Sequence, residues 1–304
     1  MATREIKKKP ITGKRDLSKR SVARKKTTQT DRNVRDKSKA ISAKKKKLKK
    51  QDNIKQYLFV INELTTREIK RKYARSSLGI IWSVLNPLLT MVVMSLIFST
   101  MFRRSIENFP IYYLTGQIFW TLFSVSTNSA MTSLVDNKTL LIKAKLPKQT
   151  FILSRIYTSL VNFGYTCIAY VLMLLVFRIK PTWSMLLFPL DVCFMLMISM
   201  GIGYILAVAY VFFADIKYLY SVMLTLLMYL SAIFYPVTAL SEAMRAVIEC
   251  NPVYVCIAFA RECVMYGNVP DAMMWVKLIA WSVGSLFVGF LVFKAKENQV
   301  MQKV

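Results

Sequence analysis

The sequence predicts an all-α integral membrane protein. It should have six transmembrane helices, an N-terminal amphipathic interfacial helix, and a re-entrant or short-helix external segment between the fifth and sixth helices. Three observations carry this reading. Charged residues are confined to short stretches, the runs between them are apolar and long, and the positive charge is concentrated at one end of the chain. Hydrophobic residues make up 55% of the 304, above the roughly 45–50% of soluble domains.

Residues 1–53 hold 21 Lys/Arg against 5 Asp/Glu, so +16 of the total +27 lies there and +11 on the other 251 residues. The segment includes "KKKKLKK" (44–50) and almost no large apolar side chains. It cannot bury enough surface to offset chain entropy and reads as a disordered basic cytoplasmic tail, attracted to anionic membrane lipids. A nucleic-acid arm is the alternative, since lysine blocks bind phosphate without sequence preference, but no folded reader module follows. No short apolar core with a cleavage site follows the charges, so it does not read as a secretory signal.

Residues 54–80 form the interfacial helix. Ile54, Tyr57, Leu58, Ile61 and Leu64 make one apolar stripe, and Arg67, Arg71 and Arg75 recur every fourth residue with Lys70 beside them. A basic amphipathic helix of this kind is expected to lie in the membrane interface.

The six-helix domain occupies 81–295. No charge falls between Arg75 and Arg103, Glu107 and Asp136, Arg155 and Arg178, Asp191 and Asp215, Lys217 and Glu242, or Lys277 and Lys294. Each gap but the last exceeds the ~20 residues that cross a bilayer core. The last suffices if Lys277 snorkels. Spans are placed near 81–102, 111–133, 156–177, 188–212, 218–238 and 273–293; irregular backbone facing lipid is ruled out, so these are helices. The loops then put nine Lys/Arg on the side of the basic tail and six on the other. The positive-inside rule places both termini, including the C-terminus 296–304, in the cytoplasm and the chain in the cytoplasmic membrane. Residues 239–272 are external, and their apolar runs 251–260 and 263–267 are too short to span.

Catalytic chemistry has little to stand on. Histidine is absent, which removes the usual general base and zinc ligand. The five cysteines form no CxxC pair; one disulfide among Cys250, Cys256 and Cys263 is possible but not expected. Gly13-Lys14 lacks the remainder of a phosphate-binding loop. Asp191 and Asp215 are the two acids near membrane level, expected at opposite faces. The chain therefore reads as a non-enzyme without a metal site.

Four stretches in order suggest a family. The basic helix followed by "SSLGIIWSVLNPLL" (76–89), the loop "DNKTLLIKAKLPKQTFILSRI" (136–156), "FFADIKYLYSVMLTLLMYLSAIFYPV" (212–237) and "NPVYVCIAFARECVMYG" (251–267) resemble the ABC-2 type permeases that export O-antigen, capsule and wall teichoic acid polysaccharides. The resemblance covers about 54–295 and departs from the family's usual Arg-Asp at Ala214-Asp215. It implies the membrane subunit of an ABC exporter, a homodimer driven by two copies of a separate ATP-binding subunit that carries the ATP and Mg. The cargo it implies is a polysaccharide on a polyprenyl diphosphate lipid. An ABC-2 permease for a drug or other lipid, or a membrane scaffold using its basic tail, are the alternatives.

Within that frame, Arg67, Lys70, Arg71, Lys72 and Arg75 either anchor headgroups or capture the lipid diphosphate, for which the planar arginine fork is suited. The loop 136–150 is read as a short helix ending at Pro147. It is either a solvated loop or the contact with the ATPase, with Leu140, Leu141 and Ile142 entering a groove and Lys138, Lys143 and Lys145 at its rim. Trp82, Tyr112, Tyr113, Trp120, Tyr235 and Trp275 form interfacial belts or line a sugar path. Tyr112, Tyr235 and the adjacent external pair Arg261-Glu262 are candidates for the pathway or its external gate; Arg261-Glu262 is otherwise simply solvated.

Overall fold

The computed structural model describes residues 55–303 except Arg75, residues 99–105, Glu107 and residues 144–145. The basic tail 1–53 therefore lies outside the described residues. The chain falls into two compact units, 1–58 and 59–304; of the first, residues 55–58 are described and are helical.

The second unit has no strand among its described residues. Helix α1 occupies 59–73. It is followed by α2 (Ile81–Phe98), α3 (Phe109–Asp136), α4 (Lys138–Lys143), α5 (Gln149–Val176), α6 (Phe188–Phe212), α7 (Ile216–Tyr229), α8 (Glu242–Glu249), α9 (Pro252–Arg261) and α10 (Ala272–Lys303). A 3₁₀ turn, Trp183–Leu187, leads into α6, and a π turn, Glu262–Tyr266, extends α9. Prolines sit in the first turn of α3, α6 and α9, where the missing N–H would have no intrahelical partner.

Helices α3 and α6 form the centre. Phe119, Phe123, Ile118 and Met131 of α3 and Met195 and Ile198 of α6 are almost wholly enclosed. The most extensive helix pair is α6 with α10. It depends on Gly201 and Gly289, where a Cβ on either would overlap the other helix's backbone, the close approach that small residues permit between apolar helices. Pro87 lies inside α2 and leaves the Ser83 carbonyl without its helical donor. The Thr166 hydroxyl of α5 donates to that carbonyl at 3.4 Å.

Among the described residues, four helices are long and apolar enough to cross a membrane: α2, α5, α6 with its 3₁₀ turn, and α10. A fifth candidate is the pair α8 and α9, bent by 92°. The spans near 111–133 and 218–238 differ from expectation. Helix α3 has the length, at 28 residues, but its many Thr, Ser and Tyr positions face other helices, so it is less apolar. Helix α7 stops at Tyr229 after 14 residues, and the backbone from Ser231 to Pro236 is irregular, with Ala232 at φ 46°. Beyond residue 295, α10 runs on to Lys303 and buries Val300 completely.

The helix expected at the interface also packs against protein. Helix α1 runs alongside α5 in the same direction. Thr65 donates to the Ser154 carbonyl at 3.3 Å, and Lys72 donates to Asn162 at 3.2 Å. Leu64 packs with Leu134, Leu141 and Phe151, so this part of the apolar stripe meets protein, not lipid.

Candidate functional site

Helix α3 joins two groups of interest. Tyr112 lies in its first turn and Asp136 is its last residue, about 36 Å apart at 1.5 Å per residue.

At the Asp136 end, one guanidinium ties three helices together. Arg155, 8% exposed, donates from Nη1 to Glu68 Oε2 at 2.7 Å and from Nη2 to Asp136 Oδ2 at 2.9 Å. Glu68 also accepts from Arg71 at 3.1 Å, and Arg67 donates to Asn137 Oδ1 at 2.6 Å. The five-residue basic face is therefore not one free surface. Arg67, Arg71 and Lys72 have partners, Lys70 makes no ion pair among the described residues, and Arg75 lies outside them. Sequence reasoning passed over Glu68, although an acid amid five bases was a signal. In the sequence Asp136 and Arg155 end uncharged runs and bound the 136–156 loop motif, with nothing to show that they pair.

Asn137 donates its Nδ2 to the Ser133 carbonyl at 2.8 Å, and its own carbonyl accepts the Leu141 N–H at 2.9 Å, so the chain turns directly into α4. This helix ends at Lys143, before Pro147. The expected apolar trio splits. Leu141 is buried in the core cluster shared by α1, α5 and α10, while Leu140 and Ile142 are exposed, the latter at 61%. Successive helical residues point about 100° apart, so one of three must turn inward. Lys138 and Lys143 are exposed beside them; Lys145 lies outside the described residues. Lys148 pairs with Glu297 of α10 at 3.4 Å, fixing the far side of the loop.

At the Tyr112 end, Arg261 is 4% exposed, not solvated. It donates to the carbonyls of Ala232 (3.0 Å), Tyr112 (3.2 Å) and Ile233 (3.3 Å), and lies 3.4 Å from the centre of the Tyr112 ring. Tyr112 in turn donates to the Tyr235 carbonyl at 2.9 Å. Asn251 donates to the Leu230 carbonyl at 3.1 Å, while its Oδ1 accepts the Val253 N–H and caps α9. Where α7 unwinds, its carbonyls lose their helical donors, and buried carbonyls need replacements. Asn251 and Arg261, at the two ends of α9, supply them. A side chain at Gly116 would collide with Arg261 Nη2 and Ile233. Three of the four predicted gate residues thus converge: Tyr112, Tyr235 and Arg261. Glu262 is not part of that hydrogen-bonded knot, but it lines with Tyr112 and Arg261 an adjoining cleft of about 240 Å³ and accepts from Asn268 at 3.4 Å.

The belt reading fails for α3, where Tyr112, Tyr113 and Trp120 are all buried. All five cysteines are unbridged. Asp191, enclosed in the first turn of α6, and Asp215, just past its end, are separated by about 36 Å of helix. Among the described residues no cluster of His, Cys, Asp or Glu could hold a metal ion.

A bundle whose helices present apolar surface outward and polar residues inward defines an integral membrane protein. Residues 60–265 match the family model described as ABC-2 type transporter, and the chain belongs to that family. It is 30% identical over 252 residues to the O-antigen export system permease protein RfbA of Myxococcus xanthus, covering 82% of this chain and 96% of that one. It is 27% identical to an RfbA of Klebsiella pneumoniae (70% and 83% covered) and 23% identical to the polysialic acid transport protein KpsM of Escherichia coli (79% and 95%).

Proposed function

We propose that the chain is the membrane subunit of an ATP-driven exporter. It would move a polyprenyl-diphosphate-linked cell-surface polysaccharide of O-antigen, capsule or teichoic acid type across the cytoplasmic membrane. The observation that carries this is the near full-length likeness to export permeases whose names specify O-antigen and polysialic acid. The working unit is a homodimer with two copies of a separate ATP-binding subunit, which holds the ATP and Mg. The chain crosses six times, through α2, α3, α5, α6, α7 with its unwound end, and α10, leaving both termini cytoplasmic.

On this reading α4 faces the ATP-binding subunit, with Leu140 and Ile142 exposed for docking and Lys138, Lys143 and Lys145 at the rim. Because Arg67 and Arg71 are held by Asn137 and Glu68, capture of the lipid diphosphate rests mainly on Lys70 and Arg75, and on Lys72, whose ammonium keeps two N–H donors beyond the one given to Asn162. Tyr112, Tyr235 and Arg261 hold the external end of the pathway, with Glu262 on its outer cleft. The test is co-purification with the ATP-binding subunit in detergent. A 2:2 complex whose ATP turnover depends on this chain is expected; two separate proteins, with turnover indifferent to the chain, would sink the reading.

A further inference from the structure

Between the end of α1 and helices α2, α3 and α5 lies a groove of about 410 Å³, within the usual range of ligand sites. It extends along α2 from Trp82 to Thr90, about 12 Å. Much of its polar lining is already satisfied. Asn162 accepts from Lys72 and Tyr73, and the Thr90 hydroxyl donates back to its own helix.

Three groups are not satisfied. The Asn86 and Gln117 carboxamides and the Thr121 hydroxyl line the groove and make no hydrogen bond among the described residues. Gln117 and Thr121 are part-buried and Asn86 is exposed, so all three are open to a ligand in the groove. Two carboxamides supply donors and acceptors together, which matches hydroxyl groups and carries no charge. At the mouth, Trp82 is half exposed and offers an aromatic face to the C–H face of a ring. Lys72 is the one charged residue of the lining among the described residues, and it lies 5.2 Å from the Tyr73 ring centre.

We propose that this groove binds a hydroxylated, uncharged ring joined to a phosphate: the first sugar of the lipid-linked glycan, with its diphosphate toward Lys72. The proposal rests on the export reading above. A membrane lipid with a hydroxylated headgroup shares the same chemistry, and the test separates the two sources.

The full chain in nanodiscs is titrated with radiolabelled farnesyl-diphosphate-N-acetylglucosamine and, separately, with farnesyl diphosphate. The sugar-bearing probe is expected to bind about tenfold more tightly, the worth of one or two hydrogen bonds. Asn86→Ala and Gln117→Ala should each remove most of that margin and leave farnesyl diphosphate binding unchanged, while Lys72→Met weakens both probes. Val125→Trp, which fills the groove, should abolish the margin even if an alanine variant misfolds. Equal binding of the two probes, or a margin that survives these substitutions, overturns the proposal. Displacement by phosphatidylinositol as effective as by the sugar probe assigns the groove to a membrane lipid and overturns it too. A chain that binds the sugar probe as expected, yet exports no glycan with its ATP-binding subunit, would count against the export reading and leave the groove standing.

Discussion

Arg155 shows how one buried charge organises a junction. Its two carboxylate partners differ in setting: the Glu68 side chain is 10% exposed and that of Asp136 41%. Breaking a buried pair strands a charge and costs about 3–5 kcal/mol, whereas exposed pairs are worth about 0–1 kcal/mol. Arg155→Ala should therefore destabilise the protein by about 3 kcal/mol, Glu68→Ala somewhat less, and Asp136→Ala by under about 1 kcal/mol. Thermal unfolding of the three variants in detergent checks the order. Arg261 poses the complementary problem, a buried cation with carbonyls and a ring as partners in place of a carboxylate. Arg261→Ala orphans those carbonyls and should cost about 3 kcal/mol, with Arg261→Lys recovering part of it. Equal melting temperatures for wild type and Arg261→Ala would contradict the bracing role.

Among elements, α4 separates surface from anchor within three residues. Ile142→Glu is expected to abolish binding of the ATP-binding subunit without shifting the melting temperature. Leu141→Glu should unfold the junction, because it places a charge in the cluster of Leu64, Phe151 and Val300. A pull-down paired with thermal scans distinguishes the two. The same helix shows what the sequence could and could not convey. Its existence and basic rim were legible from "NKTLLIK", but three successive apolar residues do not say which turns inward; neighbouring helices decide that. Likewise α1 was legible as an amphipathic helix from its periodicity. Its course along α5 was not, because it is set by the pairings of Glu68 with Arg155 and Lys72 with Asn162, ninety or so positions apart. The break after Tyr229 escaped for another reason: Leu-Ser-Ala-Ile-Phe-Tyr is as apolar as a span, and the donors that permit its unwinding come from α9.

At the scale of the whole molecule, charge spacing located α2, α5, α6 and α10 within a few residues of their observed cores. It failed to foresee how far those helices continue past the apolar runs. Helices α5 and α10 are 28 and 32 residues long, and their extra turns build the end of the bundle where Leu64, Leu141, Phe293 and Val300 meet. That end contains α4, proposed to meet the ATP-binding subunit, and the match to the transporter family begins at residue 60, after the basic tail. Deleting residues 1–50 should accordingly leave membrane insertion and export intact, measured as surface glycan in cells carrying the truncated chain. Lost export with normal insertion would make the tail part of the mechanism.

The bracing of the unwound end of α7 by α9 has a practical consequence for hybrid permeases. Leu230, Ala232 and Ile233 present bare carbonyls whose donors are Asn251 and Arg261. Exchanging either segment alone with a homologue of different sequence would import acceptors without donors, or donors without acceptors. Chimeras cut between 237 and 250 separate the two halves of this contact and should express poorly. Those that carry residues 230–261 across as one cassette keep it whole.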